Sequence, residues 1–208
     1  MHRPVLAAFA AATLLGGTAL AQPAMNFPPP AMNPAALPAG HYVSDPHHTA
    51  LIMRVRHMSM TYSTFRMNKV DASFDYDPAH PTASKVTATI DANSFDQGDA
   101  KISDTFAKEF LGADKNPTIT FSSTSIKVIK GAHGTMTGDL TLEGVTKPVT
   151  LDVTFDGSRP AGGMGPARAG FSAKGVVKRS DFGKLAMPDA IVGDNVDVTL
   201  EIEFTKAS

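Results

Sequence analysis

The stretch MTGDLTLEGVTKPVTLDVTF, residues 136–155, decides the fold. Apolar side chains alternate with threonine and acidic residues in both of its halves. The apolar face consists of Met136, Gly138, Leu140, Leu142, Val149, Leu151, Val153 and Phe155. Period-2 alternation with β-branched residues is typical of half-buried strands, and the break at residues 144–148 contains glycine and proline, which predicts a hairpin turn. The stretch therefore predicts one wall of an antiparallel sheet, whose apolar face covers another sheet, a helix or a ligand.

The same alternation recurs on both sides of this hairpin. It predicts further strands at residues 41–44, 49–57, 64–76, 84–92, 118–122, 125–130, 171–178 and 195–204. Asp45-Pro46 should end the first of them, and a change of phase between Met67 and Val70 predicts a β-bulge. Many short strands with hairpin-scale connections are typical of an all-β protein, either an up-and-down antiparallel barrel or a sandwich.

One segment, residues 93–116, does not alternate. It carries apolar residues at helical spacing, namely Phe106, Ala107, Phe110 and Leu111. We predict a short helix that has Ser103 or Asp104 as its N-cap and ends at Gly112. A helix this short depends on tertiary packing, so it should cover one end of the sheet.

The N-terminal 39 residues are predicted to lie outside the folded domain, which spans residues 40–208. Residues 1–21 combine Arg3, an apolar run too short to span a bilayer, and an A-x-A cleavage signal at residues 19–21. This pattern predicts a cleaved secretory signal peptide and a periplasmic location, with an uncleaved membrane anchor as the alternative. Residues 22–39 are rich in proline and alanine, which predicts an extended linker outside the core.

Composition excludes several classes of function. The formal net charge is −1 and no basic patch occurs, so nucleic acid is not an expected partner. The chain has no cysteine, which excludes disulfides, thiol catalysis and cysteine-ligated metals. The serines do not form a recognisable nucleophile, base and orienter set. We therefore predict a non-enzymatic protein with no catalytic residue, no cofactor and no metal ligand.

Four histidines suggest an alternative based on a metal. His48 and His57 lie nine residues apart on one predicted strand at about 3.3 Å per residue, so they cannot share an ion. A site that includes His41 and His47 remains open, and it would make the protein a metal-assisted hydrolase. No carboxylate and histidine spacing in the sequence supports that alternative.

The predicted inward face mixes large and small apolar residues. An eight-stranded barrel has an interior just wide enough to be filled by side chains or to hold a small ligand. Ala72, Ala88 and Gly138 would leave room there, and methionines adapt to irregular apolar shapes. Alternation alone leaves a packed core and a ligand cavity as two open alternatives.

Several motifs in chain order resemble the YceI-like family of secreted lipid-binding proteins. They are DPHHT (45–49) with Leu51, Met53, Val55 and His57, NPTITFSS (116–123), GDLTLEGVTKPV (138–149), RSDFG (179–183) and VGDNV (192–196). The motifs cover residues 41–205. The resemblance implies an extended antiparallel eight-stranded lipocalin-like barrel with one short helix, whose lumen holds a polyisoprenoid, a quinone-like lipid or another long amphiphile.

Site residues follow from this implied architecture. The lumen candidates are Leu51, Met53, Val55, His57, Phe65, Phe121, Leu140, Leu142, Leu151, Phe155, Phe182, Val198 and Leu200. Arg179 and Asp181 are candidates for a polar head group, although an ion pair or a capped turn at the strand entry is the other interpretation. The implied role is periplasmic binding, transport or storage of the lipid, without stable membrane insertion after signal cleavage. A ligand-free structural or stress-related barrel is the remaining alternative, and a homodimer is left open.

Overall fold

The structure is a computed structural model, and it describes residues 28–163, 165–183 and 187–208. The predicted signal peptide and residues 22–27 lie outside the described residues. Within these ranges the strands are β1 (Gly40–His57), β2 (Thr61–Met67), β3 (Val70–Tyr76), β4 (Lys85–Asp91), β5 (Phe95–Asp96), β6 (Thr118–Lys130), β7 (His133–Leu142), β8 (Val145–Arg159), β9 (Arg168–Lys178) and β10 (Val192–Lys206). The helix α1 is Ala100–Leu111, and short 3-10 turns lie at Pro34–Ala36, Pro81–Ala83, Ala92–Ser94 and Arg179–Phe182.

The antiparallel sheet closes on itself. β1 pairs with β10 along most of its length, from Tyr42 opposite Lys206 to His57 opposite Val192. β2 and β3 occupy successive parts of the other edge of β1, and β4, β6, β7, β8 and β9 complete the ring. The ring therefore has eight strand positions. The predicted eight-stranded antiparallel barrel with one short helix is confirmed, and the sandwich alternative is wrong.

The phase change between Met67 and Val70 is a break between two strands, where we predicted a bulge. The Asn68 N–H donates to the backbone oxygen of Ser94 at 3.0 Å, and the Lys69 N–H donates to the Ser94 hydroxyl at 3.0 Å. Because these two N–H groups bond to Ser94 and not to β1, pairing with β1 stops at this point.

β1 continues through Asp45-Pro46, so the prediction that this pair ends the strand is wrong. The register with β10 shifts between Ser44 and Thr49, and residues 45–48 bulge outward opposite Glu203 alone. Proline has no N–H to donate, which a bulge tolerates because the ladder is already interrupted there.

β6 is likewise one strand where two were predicted. Its register with β7 shifts between Ser123 and Ser125. The buried Ser123 hydroxyl accepts the Val86 N–H of β4 at 2.9 Å, so a side chain replaces a ladder bond at the bulge. The strand therefore continues without leaving that donor unpaired.

The β7–β8 hairpin turns at Glu143-Gly144, earlier than the predicted turn over residues 144–148. Both residues have positive φ, 50° and 77°, as a two-residue type I′ turn requires. Pro148 therefore lies within β8. It is tolerated because β9 pairs with β8 only from Leu151 onward, so no neighbouring strand needs a donor from Pro148.

α1 begins earlier than predicted. Its N-cap is Asp99, whose carboxylate accepts the Ile102 N–H at 3.0 Å, so the prediction of Ser103 or Asp104 is wrong. Gly112 ends the helix in the left-handed conformation, as predicted. Within the described ranges, no helix is long and apolar enough to cross a membrane.

The described part of the proline-rich segment, residues 28–39, contributes to the core, contrary to the prediction. Leu37 is only 1% exposed. The hydroxyls of Tyr42 and Tyr76 donate to proline carbonyls of this segment at 2.8 and 2.9 Å. Proline lacks an N–H but keeps its carbonyl as an acceptor, so the segment can be fastened by side chains of the barrel.

Two clusters of buried residues lie at different levels of the barrel. The aromatic cluster, near the start of β1, consists of Leu37, Tyr42, Phe74, Phe155, Ala169, Ile202 and Phe204. The helix-side cluster consists of Leu51, Met67, Val70, Ala92, Phe95, Ala107, Ala113 and Ile119. Half-buried apolar side chains line the lumen between the two clusters.

Candidate ligand-binding cavity

A cavity of about 610 Å³ occupies the interior of the barrel. Its wall is almost entirely apolar, and every strand of the closed ring contributes side chains to it. Pockets for small molecules usually have volumes of about 300–1,000 Å³ and apolar walls with few polar groups. The cavity therefore has the size and the chemistry of a site for an apolar ligand.

Every one of the thirteen lumen candidates lies in the cavity wall. These residues are Leu51, Met53, Val55, His57, Phe65, Phe121, Leu140, Leu142, Leu151, Phe155, Phe182, Val198 and Leu200. Residues two apart on a strand face the same side of a sheet, so the alternation placed them together. That they contact a ligand stays a prediction.

Small side chains keep the lumen open, but Gly138 is not among those that line it. Ala72, Ala88 and Ala173 lie in the cavity wall. A Cβ atom at Gly138 would lie 2.3 Å from Cζ of Phe121, so this ring already covers the glycine. The expectation that Gly138 leaves room for a ligand is therefore wrong.

The aromatic cluster packs at one end of the barrel, where Phe74, Phe155 and Phe204 also line the cavity. The Phe74 ring stacks on Tyr42 with 5.0 Å between centroids and meets the edges of Phe204 and Phe171 at 4.8 and 5.7 Å. Stacked and edge-to-face rings of this kind pack closely, so the side chains have little freedom to move. A ligand chain that enters the barrel should therefore end against this cluster.

Helix α1 forms part of the wall farther along the lumen. Phe106, Phe110 and Leu111 line the cavity, and the two rings lie 5.1 Å apart. Sequence reasoning placed these residues on one helical face but did not include them among the lumen candidates. The four-residue spacing of the two phenylalanines was the signal that could have identified them.

The polar candidates Arg179 and Asp181 have different surroundings. Arg179 lies in the cavity wall and donates to the backbone oxygens of Val192, Gly193 and Met187, the latter two at 3.2 and 3.1 Å. Asp181 is exposed and does not line the cavity. The geometry of Arg179 favours the interpretation in which it holds the strand entry, and a head-group role for either residue stays a prediction.

Sequence reasoning missed the acid that fixes this turn. Both carboxylate oxygens of Asp194 accept from Ser180, one from its N–H and one from its hydroxyl, each at 2.8 Å. The hydrogen bond from the Ser180 N–H is the main reason that the pKa of Asp194 is lowered. Asp194 thus holds the 3-10 turn that buries Phe182 at the cavity wall.

One hydroxyl in the wall stands out. Ser84 lines the cavity, and its buried Oγ has no hydrogen-bond partner within the described ranges. A buried polar atom without a partner is unfavourable by about 1–3 kcal/mol.

The metal alternative built on His41 and His47 is not supported by the arrangement of these residues. His41 Nδ1 lies 2.8 Å from an Asp75 oxygen. Among the described residues, the group with metal-compatible geometry is Asp45, His48 and Glu203, and it contains neither of those histidines.

A cation from the chain already lies within that acidic group. The Arg168 guanidinium is 3.0 Å from Asp45 and 3.6 Å from Glu203. The arrangement is an ion pair across the β1 bulge, between β9 and β10 on one side and residues 45–48 on the other.

The hydrogen bonds and the ion pair of Asp45 should make stability depend on pH. The hydrogen bond from His48, followed by those from the His47 N–H and Arg168, lowers the pKa of Asp45 to about 2. An aspartate has an unfolded pKa of about 3.9, so the stabilisation is present above pH 4 and is lost as the pH falls toward 2. We expect Asp45→Asn to lower the free energy of unfolding at pH 7 by about 1 kcal/mol, with the difference from wild type vanishing near pH 2.

Urea denaturation between pH 2 and 7 measures this difference. Asp77→Asn is the matched control, because Asp77 accepts from His80 and from the Ala79 N–H in the same local geometry but has no arginine beside it. Its effect should be smaller by the contribution of Arg168, because both carboxylates share the histidine and backbone hydrogen bonds. Equal losses for the two variants, or an Asp45→Asn loss that does not change with pH, would contradict the role of the Arg168 pair.

The fold and the cavity together define a class. A closed antiparallel barrel of eight strands with a large apolar interior is a lipocalin-like binding barrel. Within that class, the chain belongs to the YceI-like family, because the model of the YceI-like domain matches residues 42–204.

Relatives of known sequence agree with this assignment. The chain is 37% identical over 159 residues to a UPF0312 protein of Pseudomonas paraeruginosa, covering 75% of this chain and 81% of that protein. It is 41% identical over 140 residues to Protein YceI of Salmonella newport, covering 65% of this chain and 70% of the relative.

Solved structures share the fold. BcnA of Burkholderia cenocepacia superposes with a TM-score of 0.67 at 26% identity, covering 77% of this chain and 98% of BcnA. A polyisoprenoid-binding domain of Saccharophagus degradans gives a TM-score of 0.62 at 12% identity, covering 80% of this chain and 98% of that domain. The similarity to the Saccharophagus degradans domain shows a shared fold only.

Proposed function

We propose that the protein binds a lipid with a long apolar chain, such as a polyisoprenoid or a quinone-like lipid, in the lumen of its barrel. The observation that carries this proposal is the apolar cavity of about 610 Å³. The protein would act as a carrier or store and perform no catalysis. The location would be the periplasm, which the signal-peptide pattern of residues 1–21 supports.

Apolar burial alone can provide the affinity. Each methylene group transferred from water contributes about 0.8 kcal/mol, so ten such groups contribute about 8 kcal/mol before the entropy of association is subtracted. A wall that is almost entirely apolar suits a repetitive hydrocarbon chain better than a compact polar molecule. The chain end would lie against the aromatic cluster, and the polar head would lie toward the other end, where Arg56 and His57 line the cavity.

The comparisons support the same kind of ligand. The Saccharophagus degradans domain of the same fold is described as polyisoprenoid-binding. At 12% identity that description supports the choice of probe rather than the identity of the natural lipid.

Native mass spectrometry of protein purified from its own host without detergent tests the proposal. We expect an adduct with the mass of a long-chain lipid, removed by extraction with organic solvent and restored when a polyprenol or a quinone is added. A chain that carries no adduct and takes up neither probe after extraction would contradict the proposal. Circular dichroism before and after extraction shows whether the emptied barrel remains folded.

A further inference from the structure

Exposed apolar side chains surround the cavity at the end opposite the aromatic cluster. Met58 and Met60, in the turn between β1 and β2, are 52% and 68% exposed, and Tyr62 follows them on β2. Met187 and Ile191, from the segment before β10, are also exposed. We call these five residues the rim patch.

The rim patch is held together by the backbone. The Met58 N–H donates to the backbone oxygen of Ile191 at 2.8 Å, which joins the two parts of the patch. Met58 and Ser59 both have positive φ, 49° and 56°, and the Arg56 guanidinium donates to the Ser59 oxygen at 2.6 Å. The turn therefore presents the methionines outward in a fixed geometry.

Two arginines lie beside the patch. The guanidinium carbons of Arg54 and Arg56 lie 4.2 and 4.9 Å from the centre of the Tyr62 ring. The tip itself, residues 58–62, carries no acidic side chain. Nearby acids are Asp197, across the ladder from Arg54, and the pair Asp189 and Asp194, in which the Asp189 carboxylate accepts the Asp194 N–H.

The patch is continuous with the mouth of the cavity. Arg56, Met187 and Ile191 belong to the cavity wall as well as to this surface. Methionine and isoleucine side chains can enter the boundary between head groups and acyl chains, while tyrosine and arginine remain at the level of the head groups and phosphates. A protein or second copy as partner would not need the patch to open into the lumen.

We propose that the rim patch docks on the surface of an anionic phospholipid bilayer, so that the cavity mouth faces the membrane. The inference rests on the proposed function. Docking supplies the route by which a water-insoluble lipid enters or leaves the lumen without crossing water. Docking is peripheral and reversible, because three methionines and an isoleucine insert little apolar surface.

Flotation with vesicles tests this surface. The purified protein should float with vesicles of phosphatidylethanolamine and phosphatidylglycerol in a 3:1 ratio, on the order of a bacterial membrane's anionic content, and much less with phosphatidylcholine. Met58→Ser with Met60→Ser should reduce the bound fraction about tenfold. Arg54→Gln with Arg56→Gln should reduce it about fivefold and weaken its dependence on salt.

Ile129→Ser is the matched control. Ile129 is 67% exposed, like Met60, but lies near the β6–β7 turn at the end of the aromatic cluster. It should leave flotation unchanged. Equal losses for the control and the methionine variant, or no flotation of the wild type, would overturn the proposal. So would a dimer in sedimentation that Met60→Ser dissociates, because the patch would then bind a second copy.

Lipid occupancy separates this inference from the proposed function. Met58 and Met60 do not line the cavity, so their double variant should retain its lipid adduct in native mass spectrometry while it loses flotation. An empty cavity in a protein that still floats through the rim patch would contradict the proposed function alone. A filled cavity in a wild type that does not float would contradict docking alone.

Discussion

Phe74→Ala should lower the free energy of unfolding by about 4 kcal/mol, the largest loss we expect from a single substitution in the barrel. Phe74 is 5% exposed, and its ring contacts those of Tyr42, Phe204 and Phe171 with centroids 4.8–5.7 Å apart. Removing the ring leaves a void among rigid neighbours that cannot collapse into it. Urea denaturation followed by circular dichroism measures the loss.

Phe106→Ala is the matched control for this substitution. Phe106 is only half-buried, borders the existing cavity and contacts the ring of Phe110. Phe74 borders the cavity too, but Phe106 buries less surface and contacts fewer rings, so its loss should be about 1–2 kcal/mol. Similar losses at both positions would show that the aromatic cluster is packed no better than the cavity wall, which would contradict the tight packing inferred from its ring contacts.

The alternation of apolar and polar residues predicted the barrel wall, because a sheet of such strands needs little other information to close into a barrel. Once eight amphipathic strands are joined by short connections, their apolar faces can be buried only by one another. The same period placed residues as distant as Leu51 and Leu200 on the lumen side, and these two are direct neighbours in the β1–β10 ladder. Inside and outside were therefore readable from local pattern alone.

Strand continuity was not readable, because it depends on groups supplied from elsewhere. Proline at position 46 interrupts a ladder in principle, yet β1 continues since the bulge carries residues 45–48 outward to Arg168. At Ser123 a hydroxyl replaces the missing ladder bond to Val86. Both compensations involve residues more than thirty positions away, which no local period can reveal.

The inclusion of Leu37 in the core has the same cause. Its surrounding prolines and alanines predict an extended linker, and nothing local distinguishes this leucine. It is buried because the hydroxyls of Tyr42 and Tyr76 find acceptors among the proline carbonyls of that segment. The alternation also could not distinguish a filled interior from a cavity. Gly138 and Ala88 occupy equivalent positions in the pattern, but only Ala88 borders the open space.

Ala88→Phe should abolish most lipid binding while the barrel stays folded. Ala88 lies between Ala72 and Phe121 on neighbouring strands, and its side chain borders the cavity. A phenyl ring at this position would occupy lumen space that a lipid chain needs, so we expect the affinity for an added polyprenol to fall about tenfold or more. Filling an apolar void commonly preserves or raises stability. Occupancy in native mass spectrometry and titration with the probe measure the loss.

Thr89→Phe is the control for Ala88→Phe, because the next residue on β4 is exposed on the outer face and adds the same ring outside the lumen. It should bind the probe like the wild type. Ala88→Leu supplies a smaller obstruction and should give an intermediate loss, which also covers the case in which the phenylalanine variant does not fold. Gly138 is unsuitable for this purpose, since a Cβ there would lie 2.6 Å from the backbone oxygen of Ser122 and would disturb the sheet itself. A folded Ala88→Phe protein that retains full affinity would contradict binding of the lipid chain along the part of the lumen that Ala88 borders.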